Sequence, residues 1–255
     1  MRRRGVDPGV WTVLIVAAAL LAWEAASAAG MIDEYFFSRP SSLWKTLCGL
    51  AASGSLGRHL ACTAREAALG LLLGGVLGAL SGVGLGTHPR VSRALMPLMT
   101  GLNGVPKLAL GPLFIIWFGL GLKSKVLIST LMVFFLFAFN LYSGVRSVDP
   151  ELTLAVRLLG GSRRQVLYKV LWPASLPWLL ASLRTGLGLS FSGAIVGEYL
   201  GASKGLGWAI SAAGERYNVE QVLCYVLVIV VLVILLDAVV RLLERRLLRW
   251  QSPAP

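Results

Sequence analysis

Charged and catalytic residue types are scarce in this chain of 255 residues. Only 14% of the residues are charged, and there are two histidines and three cysteines. His59 and His88 stand far apart in the sequence, which argues against a histidine-based metal site. Cys48, Cys62 and Cys224 lack metal-ligand spacing; a Cys48 to Cys62 disulfide is one reading, and three free thiols are the favoured one. No catalytic constellation is left among these residue types.

A nucleotide-binding loop is missing as well. The phosphate-binding pattern Gly-x-x-x-x-Gly-Lys-Ser/Thr does not occur in the sequence. Residues 119–124 come nearest, but Leu122 occupies the position of the second glycine. We therefore expect that this chain is not an enzyme, carries no cofactor, and neither binds nor hydrolyses ATP by itself.

Apolar residues, in contrast, are abundant. They make up 56% of the chain, and the mean hydropathy is +0.74, values typical of a protein embedded in a lipid bilayer. The 24 lysines and arginines exceed the 12 acidic residues, but they lie between the apolar stretches. Such a distribution orients a membrane protein and does not indicate a nucleic-acid partner.

Six stretches are long enough to cross a membrane, which takes about 20 apolar residues. They predict an all-α membrane protein with transmembrane helices near residues 10–29, 60–86, 94–120, 126–145, 174–200 and 219–240. With the amino terminus inside, 14 basic residues fall on the inner face and seven, including Lys123 and Lys125, on the outer face. This bias predicts that both termini are cytoplasmic.

The first span also resembles a cleavable signal peptide, because Arg2, Arg3 and Arg4 precede a short apolar run and Ala26-Ser27-Ala28. Its loss would leave the other five spans oriented as before. Residues 31–59 would then lie outside, where Pro40-Ser41-Ser42 predicts the capped start of an amphipathic surface helix.

Glycines recur every four residues in two of the spans and define one face of each helix. Such faces allow close helix packing, which is the favoured interpretation over a substrate groove. The positions are Gly70, Gly74, Gly78, Gly82 and Gly86, followed by Gly193, Gly197 and Gly201.

Polar residues and helix breakers inside the spans are candidates for a translocation pathway, because unpaired polar groups are costly in hydrocarbon. Pro106 and Pro112 predict that the third span is interrupted. An interhelical hydrogen bond is an equally good reading for each polar residue. The candidates are Asn103, Pro106, Lys107, Asn140, Arg184 and Glu198, with Arg65 and Glu66 as further polar positions.

Residues 149–173 form a basic segment between two spans with the signals of two short helices. Asp149, Pro150 and Glu151 predict a helix start, and Gly160-Gly161 predicts its end. Ser162 and Gln165 predict a capping box for a second helix, and Pro173 marks the start of the fifth span. Together they predict a helix-turn-helix that docks a partner.

The same segment resembles the coupling loop of permeases from binding-protein-dependent ABC importers. That family's pattern is Glu-Ala-Ala, three residues, Gly, nine residues, then Ile-x-Leu-Pro. The spacing is met in full, while Leu154, Val156 and Trp172 depart from the usual identities, and Glu151 offers a carboxylate one turn before Leu154. The resemblance assigns ATPase coupling to Glu151, Leu154, Ala155, Val156, Gly160, Gly161, Ser162, Val170 and Pro173.

Further stretches over residues 38–250, such as residues 106–113 and 205–207, resemble the nitrate, sulfonate, taurine and bicarbonate branch of this family. The resemblance implies a type I ABC importer permease fold in the cell inner membrane and a homodimer. Its partners would be two ATPase subunits that bind ATP and Mg, and an extracytoplasmic binding protein. The implied segments are 1–59 (tail, first span and external segment), 60–246 (permease core) and 247–255 (cytoplasmic tail).

The alternative is a secondary carrier driven by an ion gradient, with Lys107, Arg184 or Glu198 as coupling groups. Carriers of that kind commonly contain inverted repeats and more than six spans, and neither feature is found in this sequence. The ABC permease interpretation is therefore preferred, with the solute being a small anion such as a sulfonate or nitrate, or a vitamin precursor.

Overall fold

The computed structural model describes residues 8–247, and within that range every regular element is helical. The predicted tail residues Arg2, Arg3, Arg4 and 248–255 lie outside the described residues. The helices are α1 (Pro8–Ala28), α2 (Glu34–Phe37), α3 (Pro40–Ala52), α4 (Ser55–Thr87), α5 (Pro89–Gly104), α6 (Gly111–Phe118), α7 (Leu122–Arg146), α8 (Pro150–Leu158), α9 (Arg163–Val166), α10 (Trp172–Leu200), α11 (Leu206–Glu215) and α12 (Val219–Leu247). A 3-10 turn, Lys107–Leu110, precedes α6, and a π-helical turn, Leu167–Leu171, joins α9 to α10.

The six predicted spans correspond to five continuous helical stretches and one bent pair. The continuous stretches are α1, α4, α7, α12 and the run from α9 through α10. The third span is α5 followed by Lys107–Phe118, and the two parts are bent by 82°. The all-α membrane fold with an interrupted third span is therefore as the sequence predicts.

The bend lies at Val105 and Pro106. Val105 leaves the helix with an extended backbone (φ −66°, ψ 128°), as expected for a residue before proline. Pro106 has no N–H to donate to the preceding turn. The helix resumes only at Gly111, with Pro112 in its first turn, where proline is tolerated.

Among the described residues, one compact unit comprises residues 59–208 and 229–247, and it contains most of the predicted site residues. Its centre is α7, which packs against the glycine faces of α4 and α10. A Cβ atom on Gly74, Gly78 or Gly82 would lie closer than 3.0 Å to a backbone carbonyl oxygen of α7. A Cβ atom on Gly193 or Gly197 would meet the α7 backbone equally closely. The glycine faces are thus used for packing, as predicted.

The other unit comprises residues 8–58 and 209–228. Here α3 begins at Pro40 as predicted, but its serines do not provide the expected cap. Instead the Glu24 carboxylate of α1 accepts hydrogen bonds from the Ser41 backbone N–H (3.0 Å) and hydroxyl (2.8 Å). The Cys224 thiol donates to the carbonyl of Leu43 (3.3 Å). All three cysteines of the chain are free thiols, which was the favoured reading.

One further prediction is corrected. Lys125 was expected in an outer loop, but it lies in α7 and only 5% of it is exposed. It can be buried because its ammonium group is 3.5 Å from the Glu66 carboxylate of α4. Pro173 lies at the start of α10, the helix of the fifth span, as the sequence predicts. As the second residue of α10, it needs no backbone donor there.

Candidate functional site

Three of the predicted pathway residues line one cavity of about 420 Å³. Asn103 comes from the last turn of α5, Lys107 from the 3-10 turn and Asn140 from α7. The remaining lining is apolar and consists of Met132, Phe135, Leu136, Phe139 and Leu189. A few polar groups in a mostly apolar cavity are typical of a small-molecule site.

The break in the third span positions Lys107. Its ammonium group donates to the side-chain oxygen of Asn103 (2.9 Å) and to the backbone carbonyl of the same residue, at the carboxyl end of α5. Carbonyls at that helix end carry partial negative charge and favour a cation. The ammonium also lies 5.4 Å from the centre of the Phe135 ring. The cavity therefore contains an ammonium group, fixed in position by its hydrogen bonds, beside the aromatic ring of Phe135.

Asn140, which also lines this cavity, is held by a short chain of hydrogen bonds. Its side-chain amide donates to the hydroxyl of Ser182 (2.9 Å). Ser182 in turn donates to the backbone carbonyl of Trp178 (2.7 Å). Because α10 anchors the amide in this way, its orientation is set before any solute enters.

The structure does not bring Arg184 into this cavity. Its guanidinium donates to the Asp237 carboxylate of α12 (2.6 Å), and Arg241 binds the other oxygen of Asp237 (3.0 Å). Asp237 is a partner that the sequence reasoning missed, because 53 residues separate it from Arg184. The geometry supports an interhelical ion pair for Arg184.

Glu198 lies in a second, buried cluster that ties three segments together. Its two carboxylate oxygens accept hydrogen bonds from the Thr63 hydroxyl of α4 and from the Gly207 N–H, both at 2.7 Å. The Leu206 N–H donates to the same hydroxyl (2.7 Å). Only 1% of Glu198 is exposed. A Cβ atom on Gly207 would lie closer than 3.0 Å to Glu198, which explains the glycine after Leu206.

The ion pair of Glu66 and Lys125 borders this cluster. One oxygen or sulfur atom each of Cys62, Glu66 and Glu198 lies within 4.8 Å of the others. Such a group resembles a metal site, but the Lys125 ammonium, 3.5 Å from Glu66, already supplies positive charge there. Sequence reasoning had named Glu66 and Glu198 separately; it could not have paired them, since 131 positions lie between them.

The loop of residues 149–173 has the two capped helices that were predicted. The Asp149 carboxylate accepts from the Glu151 N–H (2.8 Å) at the start of α8. The Ser162 hydroxyl accepts from the Gln165 N–H (3.3 Å), and the Gln165 side chain accepts from the Ser162 N–H (2.7 Å). These reciprocal bonds form the predicted capping box at the start of α9.

The turn between α8 and α9 depends on its two glycines. Gly160 has a φ of +79°, a region that favours glycine. The Gly161 N–H donates to the Val156 carbonyl (2.9 Å), and a Cβ atom on Gly161 would collide with Val156. The turn is therefore closed and tight.

Several apolar side chains of this loop are exposed on the surface of the chain. Leu154 is 55% exposed, Leu158 78% and Leu159 88%. Val156 and Val170 are half-buried. Large exposed apolar groups on an ordered loop indicate an interaction surface.

Comparison with known proteins places these features in a family. The family described as binding-protein-dependent transport system inner membrane component matches residues 72–249. SsuC of Bacillus subtilis (strain 168), named for aliphatic sulfonates transport, is 35% identical and covers 94% of this chain and 87% of its own. The taurine transport system permease protein TauC of Escherichia coli (strain K12) is 34% identical, with coverage of 93% and 88%.

A solved structure shares the fold. The MetNI methionine ABC transporter, in an inward-facing conformation, matches with a TM-score of 0.62 at 20% identity, covering 71% of this chain and 93% of the matched chain. The interrupted span, the glycine-packed bundle and the loop of residues 149–173 therefore occur in a type I ABC importer permease fold. The chain belongs to the family of inner membrane components of binding-protein-dependent transport systems.

Proposed function

We propose that this chain is the permease of an ATP-driven importer that works as a homodimer, with the solute path between two copies. Two ATPase subunits, which bind ATP and Mg, dock on residues 149–173 of the two copies. A binding protein delivers the solute from the opposite side, and both termini of the chain are cytoplasmic. The observation that carries this proposal is the ordered loop with its exposed leucines.

Within the loop, the proposed roles follow from exposure. Leu154, Leu158 and Leu159 enter an apolar groove of the ATPase. Leu154 replaces the glutamate of the family's usual pattern, so the contact at this position is apolar, while exposed Glu151 supplies the nearby carboxylate. The other loop residues hold the geometry of the two helices: Ala155, Val156, Gly160, Gly161, Ser162, Val170 and Pro173.

The cavity with Lys107 is the proposed contact site for the solute. Lys107 attracts an anion, Asn103 and Asn140 offer hydrogen bonds, and Phe135 packs against an apolar part. A small sulfonate or a comparable small anion fits this combination, and the names of the relatives SsuC and TauC agree with it. Pro106 creates the bend, and Arg184 and Glu198 hold the surrounding helices in place.

The test is co-purification of the full-length chain from its native membrane in mild detergent, comparing wild type with Gly160→Asp. We expect an ATPase at two copies per permease dimer, and its loss in the variant, because a side chain at φ +79° distorts the turn between α8 and α9. Gly54→Asp is the matched control. Gly54 also has a positive φ (+68°) and open space around its Cβ position, but it lies outside the loop.

The outcomes separate the interpretations. An ATPase that is lost with Gly160→Asp and retained with Gly54→Asp supports the docking role. If no ATPase accompanies an intact, transport-competent wild-type dimer, the proposal fails and a carrier driven by an ion gradient becomes the leading interpretation. If Gly160→Asp retains the ATPase at wild-type stoichiometry, the role of residues 149–173 is wrong.

A further inference from the structure

An apolar groove runs along the outside of the helical bundle between α4 and α10. It has a volume of about 710 Å³, and its lining is almost wholly apolar. One face of α4, from Ala68 to Val83, forms one wall, and Leu179 and Leu183 of α10 form the other, with Phe137 of α7 at the base. The wall on α4 covers 16 residues and measures about 22 Å, more than the roughly 15 Å thickness of one hydrocarbon leaflet.

A second cavity, of about 790 Å³, lies where α4 and α7 end. Arg146 at the end of α7, Arg157 of α8 and Arg163 of α9 line it, together with His88. In the part of the chain that the structure describes, none of these three guanidinium groups forms an ion pair. The cavity also lacks an acidic side chain in its lining. It is therefore a concentrated positive region without an internal counter-charge.

The groove and the basic cavity are neighbours. Leu80, Val83 and Leu167 line both of them. The groove lies along membrane-spanning helices, and the basic cavity lies at their ends, where headgroups of lipids are found. The protein thus has an apolar groove that can accommodate an acyl chain and, directly beside it, three guanidinium groups that can bind a phosphate.

We propose that this composite site, the α4–α10 groove with the Arg146–Arg157–Arg163 cavity, binds one anionic phospholipid. An acyl chain lies against Leu72, Val76 and Trp172, and the headgroup phosphate accepts hydrogen bonds from the arginines. Basic pockets between transmembrane helices are suited to anionic headgroups, and the guanidinium group matches phosphate geometry. A zwitterionic lipid leaves the excess positive charge uncompensated.

A lipid bound at this site would connect the loop of residues 149–173 to the helical bundle. Arg146 belongs to α7, whereas Arg157 and Arg163 belong to the two helices of the loop. A single phosphate that binds all three fastens the loop of residues 149–173 to the bundle. This inference is independent of the proposed ATPase contact, which uses the exposed leucines.

The test is native mass spectrometry of the full-length chain taken from nanodiscs of phosphatidylcholine that contain a minor fraction of phosphatidylglycerol. We expect one phosphatidylglycerol per chain in the wild type. Arg157→Gln with Arg163→Gln should weaken its retention about 25-fold, since each basic side chain near an anionic headgroup contributes roughly a factor of five. The matched control is Arg90→Gln with Arg93→Gln, which removes the same charge from exposed residues that line neither the groove nor the cavity.

A second pair of variants tests the groove without changing charge. Ala79→Trp fills the groove and should displace the lipid, whereas Leu77→Trp, on an exposed part of α4 outside the groove, should not. Equal retention of the two lipids, or wild-type retention in the double arginine variant, overturns the proposal. If the arginine variant loses phosphatidylglycerol but Ala79→Trp keeps it, the cavity binds the headgroup without the groove, and the proposed composite site is also wrong.

Discussion

The Glu198 carboxylate joins α4, α10 and the segment that leads into α11. Both of its oxygens accept a short hydrogen bond, one from Thr63 and one from Gly207, inside the membrane-spanning bundle. Buried donors that lose their acceptor cannot turn to water there. Glu198 is consequently a packing requirement of the fold, whatever else it contributes.

We predict that Glu198→Ala lowers the free energy of unfolding by about 2–4 kcal/mol, because the buried Thr63 and Gly207 donors lose their acceptor. The measurement is thermal unfolding of the purified protein in detergent. Glu215→Ala is the control, since Glu215 is exposed and its hydrogen bond to Ser211 is long, at 3.4 Å. Equal unfolding midpoints for the two variants would contradict the structural role of Glu198.

Local features of single residues could be predicted from the sequence, whereas contacts between remote residues could not. The caps at Asp149 and Ser162 and the break at Pro106 were predictable, because each depends on residues within a few positions. The pairing of Lys125 with Glu66 was not predictable, since its partners are remote in sequence. A lysine near the end of an apolar stretch was therefore placed in a loop, whereas the buried carboxylate permits it inside.

Helix α4 shows how packing is encoded at the level of an element. Its glycines at intervals of four residues bring the backbone of α7 within van der Waals contact, which is the main source of attraction between helices in a bilayer. The sequence predicted the face of α4 that packs but not the partner helix, because glycines spaced four residues apart identify one face of a helix and not the helix that packs against it. Not every glycine of α4 serves this purpose: a Cβ atom on Gly84 would meet nothing within 4 Å.

For this element we predict that Gly78→Ala lowers the free energy of unfolding by about 1–3 kcal/mol through overpacking. Its Cβ atom would lie closer than 3.0 Å to the α7 backbone. Gly84→Ala, in the same helix, should be neutral or slightly stabilising, since alanine has the higher helix propensity. Thermal unfolding of both variants decides the matter, and a larger loss for Gly84→Ala would refute the assigned interface.

For the whole molecule, the six spans were predictable from the lengths of the apolar stretches, and the resemblance of residues 149–173 to a family's coupling loop implied the type I importer fold. The grouping of the polar residues was not. Asn103, Lys107 and Asn140 share a cavity, while Arg184 and Glu198 belong to separate interhelical contacts. All five had looked alike in sequence, because each is a polar residue in an apolar stretch.

The proposed orientation leads to a prediction about the complete chain. Alkaline phosphatase, which is active only outside the cytoplasm, should be active when fused after Gly121, between α6 and α7, and inactive when fused after Gly161. The excess of basic residues on the side of residues 149–173 is the physical reason. Fusions in living cells with matched expression levels measure this directly. Activity at Gly161 and none at Gly121 would invert the topology.

The uninterrupted helical path from Arg163 to Leu200 has a mechanical consequence. It contains 38 residues, which corresponds to a lever about 57 Å long. Its two points of compliance, the π-helical turn and Pro177, both lie near the α9 end. Beyond them α10 continues as a regular α-helix to Leu200, past Glu198. One continuous helical path therefore links the loop of residues 149–173 to the buried cluster around Glu198.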